Sequence, residues 1–175
     1  MNFYPSLEFV MLRADAEAKA ANATDVTVDF LFLGLLKLAE MRAADFIKAP
    51  KNVIRAVDED IYEVNAIFKR LDVNTSRARA LLRAAVAKGV SAPPHALVER
   101  FFIAAGCARE RGDECIAAHD MLYAILDKPT DAILQVYPLK NEDASPQPVK
   151  KPAPVPEEKP AKKKGLFGLF GKKKN

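Results

Sequence analysis

The chain has 175 residues and is poor in several residue types that would point to chemistry. It has no tryptophan, two cysteines, two histidines and seven glycines. Two cysteines, Cys107 and Cys115, make no disulfide framework and no metal-ligand spacing, and no His/Asp constellation marks either as a nucleophile. A reducing cytoplasm is the default reading. A phosphate cradle of the GxxxxGK[ST] type is also missing, since Gly168-Leu169-Phe170-Gly171-Lys172-Lys173 has the wrong spacing and no Ser or Thr. ATP hydrolysis is therefore not expected. Glu8, Glu17 and Glu40 lie on different faces or far apart, so paired-carboxylate catalysis has no support either. Nothing in the sequence calls for a metal or cofactor, and the expectation is a protein that is not an enzyme.

Long apolar runs are absent too. None approaches the ~20 residues that cross a bilayer, and the first residues lack the basic start and apolar core of a secretory signal. Positive charge is scarce in the body. The formal net charge is +4, but residues 140–175 carry ten Lys against four acidic residues, a net of +6, which leaves about −2 for residues 1–139. A mildly acidic body excludes a basic groove for specific nucleic-acid binding.

What the chain does have is helical periodicity, twice over. Val26-Thr27-Val28-Asp29-Phe30-Leu31-Phe32-Leu33-Gly34-Leu35-Leu36 is apolar and opens with Thr27, a helix-start residue, and with an acidic first turn. It returns as Ile116-Ala117-Ala118-His119-Asp120-Met121-Leu122-Tyr123-Ala124-Ile125-Leu126, at an offset of 90. The same offset pairs Leu7 with Leu97, Met11 with Phe101, Ala14 with Ala104 and Ala18 with Ala108. Apolar meets apolar and small meets small, as a repeated supersecondary unit requires. Gly34 and Ala124 predict close helix crossings at matching places.

Taken in order, the spacing predicts a first helix over about 6–22, capped by Ser6, and a buried second helix from Thr27. A loop is expected at 48–52, a third helix over 58–71, and a fourth over 75–88 with Asn74-Thr75 as cap and Gly89 as stop. Pro93-Pro94 opens a fifth helix, His119–Leu126 forms a sixth, and 131–136 a short last one. The fold expected is all-α with about seven helices.

Residues 1–139 are read as one domain, with a first repeat over about 4–90 and a second over about 94–137. Seven prolines fall between Pro138 and Pro160, so residues 140–164 read as an extended Pro/Lys linker, disordered in isolation. Residues 165–175 hold the terminal motif, in which Leu166, Phe167, Leu169 and Phe170 lie between lysine triplets. Such a segment suits either a hydrophobic groove on a protein partner or an anionic membrane surface.

The arrangement of small residues at −12 and −8 from a β-branched residue, followed by an apolar LxLGLL helix, is specific. Ala14/Ala18/Val26 and Ala104/Ala108/Ile116 both fit it. Over roughly residues 4–137 the chain resembles the Clp N-terminal (Clp repeat) domain, the module at the front of Clp-class AAA+ unfoldases. The resemblance implies two helical repeats related by a pseudo-twofold axis, without the ATPase modules. It also implies protein partners: a Clp ATPase, adaptors or client proteins in protein quality control.

In some family members a glutamate at the helix start helps bind phosphorylated arginine. The matching positions here are Asp29, which keeps a carboxylate, and His119, which does not. These two and the four tail residues are the candidate partner-binding residues. Taken alone, Asp29 reads as a carboxylate serving nearby amides and His119 as a surface histidine without a partner. The leading expectation is a non-enzymatic protein-binding module. Its alternatives are a cytoplasmic protein placed at a membrane surface or scaffold by its tail, and the N-terminal part of an AAA+ ATPase subunit.

Overall fold

The stretch that opens at Thr27 becomes the centre of a helical fold. The computed structural model describes residues 2–90 and 92–136. Among them are seven helices: α1 (Pro5–Ala20), α2 (Val28–Leu38), α3 (Lys51–Arg70), α4 (Thr75–Ala87), α5 (His95–Glu110), α6 (Ala118–Asp127) and α7 (Asp131–Val136). Residues 28–36 of α2 are all buried, so the helix is apolar all round because it is enclosed all round. It packs against α1, α4, α5, α6 and α7, while α3 packs on α6 and α4 on α7. Phe30, Phe32, Leu35 and Leu36 of α2 join Leu7 and Val10 of α1 and Met121, Leu122 and Ile125 of α6 in one core.

Gly34 sets the tightest crossing. A β-carbon there would stand 2.6 Å from the Val10 carbonyl oxygen and 3.1 Å from its Cγ1. The two helices meet backbone to backbone, which only glycine permits.

Helix boundaries repeat at the offset read from the sequence. α5 begins and ends 90 residues after α1, and α6 begins 90 residues after α2. α1 closes with Asn22 at φ 54° and an Ala23 amide donating to the Ala18 carbonyl at 2.9 Å. α5 closes in the same way with Gly112 at φ 77° and an Asp113 amide donating to Ala108 at 2.9 Å. Both are left-handed C-terminal stops.

Three expectations need correction. The first helix starts at Pro5, whose missing N–H costs nothing in a first turn, and Ser6 is a buried residue inside it rather than its cap. The third helix starts at Lys51, seven residues earlier than expected, because Pro50 precedes a helix instead of marking a loop. The all-α expectation also misses a two-residue parallel pairing of β1 (Asn2–Phe3) with β2 (Cys115–Ile116). With the Tyr4 amide donating to the Ile116 carbonyl at 2.9 Å, it ties the start of the chain to the α5–α6 connection. The linker and terminal motif lie outside the described residues.

Candidate functional site: the groove along α3

α3 buries one face through Val57, Ile61, Val64, Ile67 and Phe68, and the spacing of these residues is what makes it a helix. Its outer face is unusual because Tyr62 is 74% exposed. Around Tyr62 runs a groove of about 910 Å³ floored by Ile54, Ala66, Ile67 and Tyr123, with Asp58, Glu59 and Glu63 midway along its rim. Lys51 and Arg70 stand at the two ends of the helix, and Arg55 pairs with Glu59 at 3.0 Å. A second cavity of about 330 Å³ shares Glu59 and Glu63 and adds Tyr4, Asp60, Asp113, Glu114, Cys115 and His119. The two cavities together give an apolar trough with a strongly acidic side chamber.

Behind the chamber lies a network of buried charges. The N-cap position of α6 is Ala117, which has no side chain able to accept from the helix-start amides. Asp60 supplies that acceptor from α3. It accepts from the Ala118 amide at 3.0 Å, the His119 amide at 3.1 Å and His119 Nδ1 at 2.6 Å, and the Ser6 hydroxyl donates to it as well. Asp120, fully buried, accepts from the Ala117 amide at 2.9 Å and from both terminal nitrogens of Arg111, whose Nε also meets Asp113 at 3.1 Å.

Burial pushes the Asp60 carboxyl up. The hydrogen bond and charge of His119, with the Ser6 hydroxyl and the Ala118 amide, outweigh it and hold the group below the usual carboxylate range. Burial likewise pulls His119 down, but Asp60, Asp120 and Glu63 outweigh it and raise the imidazole above its ordinary value. Each partner favours the charged form of the other, and the geometry of the pair is that of a structural cap. Among the described residues, no group of three or more His, Cys, Asp or Glu side chains is disposed to hold a metal ion.

His119 therefore departs from its reading as a partnerless surface residue. Its side chain is 12% exposed and holds Asp60, for which the linear sequence offers no cue because 59 residues separate them. Asp29 departs too. It is fully buried and accepts from the distant Ala92 amide at 2.7 Å and from the Thr130 hydroxyl, rather than serving only local amides. Thr130 in turn caps α7 by accepting from the Ile133 amide at 3.2 Å. The two candidates sit at matching helix starts but hold different partners, so they do not form one site. Leu166, Phe167, Leu169 and Phe170 lie outside the described residues.

No family model, curated protein or solved structure matches this chain. The function must be argued from the groove and from the sequence.

Sequence reasoning missed Asp60 and Tyr62, although both left a trace. Asp60 stands on the apolar stripe of α3, three residues after Val57 and four before Val64, where a charge needs a partner. Tyr62 stands on the opposite, polar stripe, where a large aromatic ring has nothing of its own helix to bury against. Both cysteines are free and partly buried. No helix among the described residues is long and apolar enough to cross a membrane.

Proposed function

We propose that the chain is a non-enzymatic protein-binding module of the Clp N-domain type, which captures a client or adaptor segment in the groove along α3. The observation that carries this is the trough itself. An exposed tyrosine, an apolar floor and an acidic chamber lie together along α3, completed by Tyr123 of α6 and by Asp113 and Glu114, while the buried charges behind them are occupied in holding helix ends. A site of this kind suits an extended or helical segment with apolar anchors and basic neighbours. The helix boundaries and left-handed stops that recur at an offset of 90 support the double-repeat reading. They agree with the small-residue pattern that suggested the family.

The test is binding of the full chain to a permanently unfolded model protein and to a Clp-class ATPase ring, read by fluorescence anisotropy. Tyr62→Ala and Ala66→Glu should each weaken the interaction by about tenfold or more, the range of an anchor residue's removal. Binding to neither, or binding indifferent to both substitutions, rejects the reading. The membrane-surface alternative is favoured by one observation, the net +6 of residues 140–175, and partitioning onto anionic vesicles tests it.

A further inference from the structure

Resting on the groove reading, we infer that the terminal motif of this same chain is the groove's resident occupant, folding back to cover α3 until a partner displaces it. Three observations point to it. The first is composition. The motif places Leu166, Phe167, Leu169 and Phe170 between Lys162–Lys164 and Lys172–Lys174, the apolar-and-basic sequence that an apolar floor beside an acidic chamber selects. The second is charge. Residues 140–175 carry a net of +6 and the body about −2, and the chamber gathers Glu59, Glu63, Asp113 and Glu114 around a single histidine, with Arg55 on Glu59 and Arg111 on Asp113 offsetting part of that charge. Opposite potentials at short range favour association and steer it.

The third is reach. The 25 residues of the 140–164 stretch extend to about 78 Å at ~3.1 Å per residue in a Pro-rich segment. A domain of this length is only roughly 37 Å across. The tether therefore reaches any face of its own domain, and composition decides which face it takes. Tethering also raises the local concentration of the motif toward the millimolar range, so a weak contact suffices to hold it. The groove's own rim is balanced, Lys51, Arg55 and Arg70 against Asp58, Glu59 and Glu63, so the acidic chamber is what attracts the lysine triplets.

Exposed apolar residues elsewhere among the described residues, Leu12 on α1, Leu81 on α4 and Val98 and Phe102 on α5, are competing surfaces. Glu99, beside Val98, is already paired with Arg100 and Lys128, whereas the chamber beside α3 gathers several carboxylates.

The experiment uses the isotope-labelled full chain and a full chain carrying Phe167→Ser and Phe170→Ser. Amide resonances of Ile54, Tyr62, Ala66, Ile67 and Tyr123 should differ between the two. A synthetic peptide of residues 162–175 added to the variant should restore the wild-type positions, and about 0.5 M salt should weaken that restoration. An unfolded client should bind the variant about tenfold more tightly than the wild type, which must first expel its own tail.

Superimposable α3 resonances overturn the inference, as do differences confined to Val98 and Phe102. A tail captured by anionic vesicles with no change on α3 overturns it in favour of a membrane anchor. Equal client affinity in both chains removes the tail's gating role and leaves the groove reading intact. Tail-dependent α3 shifts without any client binding do the reverse: they keep the tail in the groove and reject the groove as a partner site.

Discussion

Adding one methyl group at Gly34 puts the central packing claim at risk. A β-carbon would lie 2.6 Å from the Val10 carbonyl oxygen, whereas ordinary contact begins near 3.4 Å. α1 must then retreat by roughly 0.8 Å (3.4 − 2.6) or α2 must turn, and the clashing atom is backbone, which cannot rotate away. Overpacking of this kind costs about 1–3 kcal/mol. Against it stands the ~1 kcal/mol that alanine gains over glycine inside a helix. The clash should win, leaving Gly34→Ala destabilised by up to about 2 kcal/mol.

Gly106, inside α5 with nothing within 4 Å of its absent β-carbon, is the matched control. There the propensity gain is unopposed, and Gly106→Ala should stabilise by up to ~1 kcal/mol. Thermal unfolding of the full chain measures both, and the two Tm values should separate by several degrees, at ~2–4 °C per kcal/mol for a chain of this size. A Gly34→Ala protein as stable as the wild type, or more so, would refute the close crossing.

Other consequences are as direct. Asp60→Ala strands the Ala118 and His119 amides, the Ser6 hydroxyl and a buried imidazole, and should cost about 3–5 kcal/mol in chemical denaturation; a loss under ~1 kcal/mol would show that Asp60 is not the cap of α6. His119, raised in the folded state, contributes stability that is complete below its unfolded pKa near 6.5 and is lost as pH rises through the higher folded value. Asp60, depressed, contributes above its unfolded value near 3.8 and loses its effect as pH falls through the lower folded one. Denaturation midpoints should therefore decline on the alkaline side of about pH 6.5, and His119→Gln should flatten that decline. Asp29→Ala leaves the Ala92 amide and the Thr130 hydroxyl without this acceptor and should cost about 1–3 kcal/mol, with faster hydrogen exchange at Ala92 and in α7. Asn74 accepts from the Arg77 amide at 2.9 Å, so Asn74→Ala should cost about 1 kcal/mol and fray only the first turn of α4.

Much of the fold was legible because helices announce themselves locally. The stripe Leu7, Val10, Ala14 and Ala18 gave α1, the near-continuous apolar run gave α2, and Asn74 and Gly89 bracketed α4 in the sequence as they do in space. The glycine at 34 told of a close approach before its partner was known. What failed was non-local. The start of α3 was missed because a proline punctuates both loops and helix starts, and only the packing of Val57 decides which. The partners of Asp29 and His119 lie 101 and 59 residues away, in Thr130 and Asp60, and no periodicity reports such a pairing. The groove was invisible for the same reason, since Tyr123 joins its floor from another helix.

The exchange of carboxylates between the first ninety residues and those that follow fastens the two parts to each other. Asp29 waits for Thr130 and Ala92, while the opening turn of α6 waits for Asp60 and Ser6. In a fragment ending after Gly89, Asp29 would lose the Ala92 amide and the Thr130 hydroxyl, and Asp60 would keep the Ser6 hydroxyl but lose the α6 amides and His119. A cut there parts each helix start from the acceptor that serves it, so neither piece keeps the full set of bonds that closes the fold.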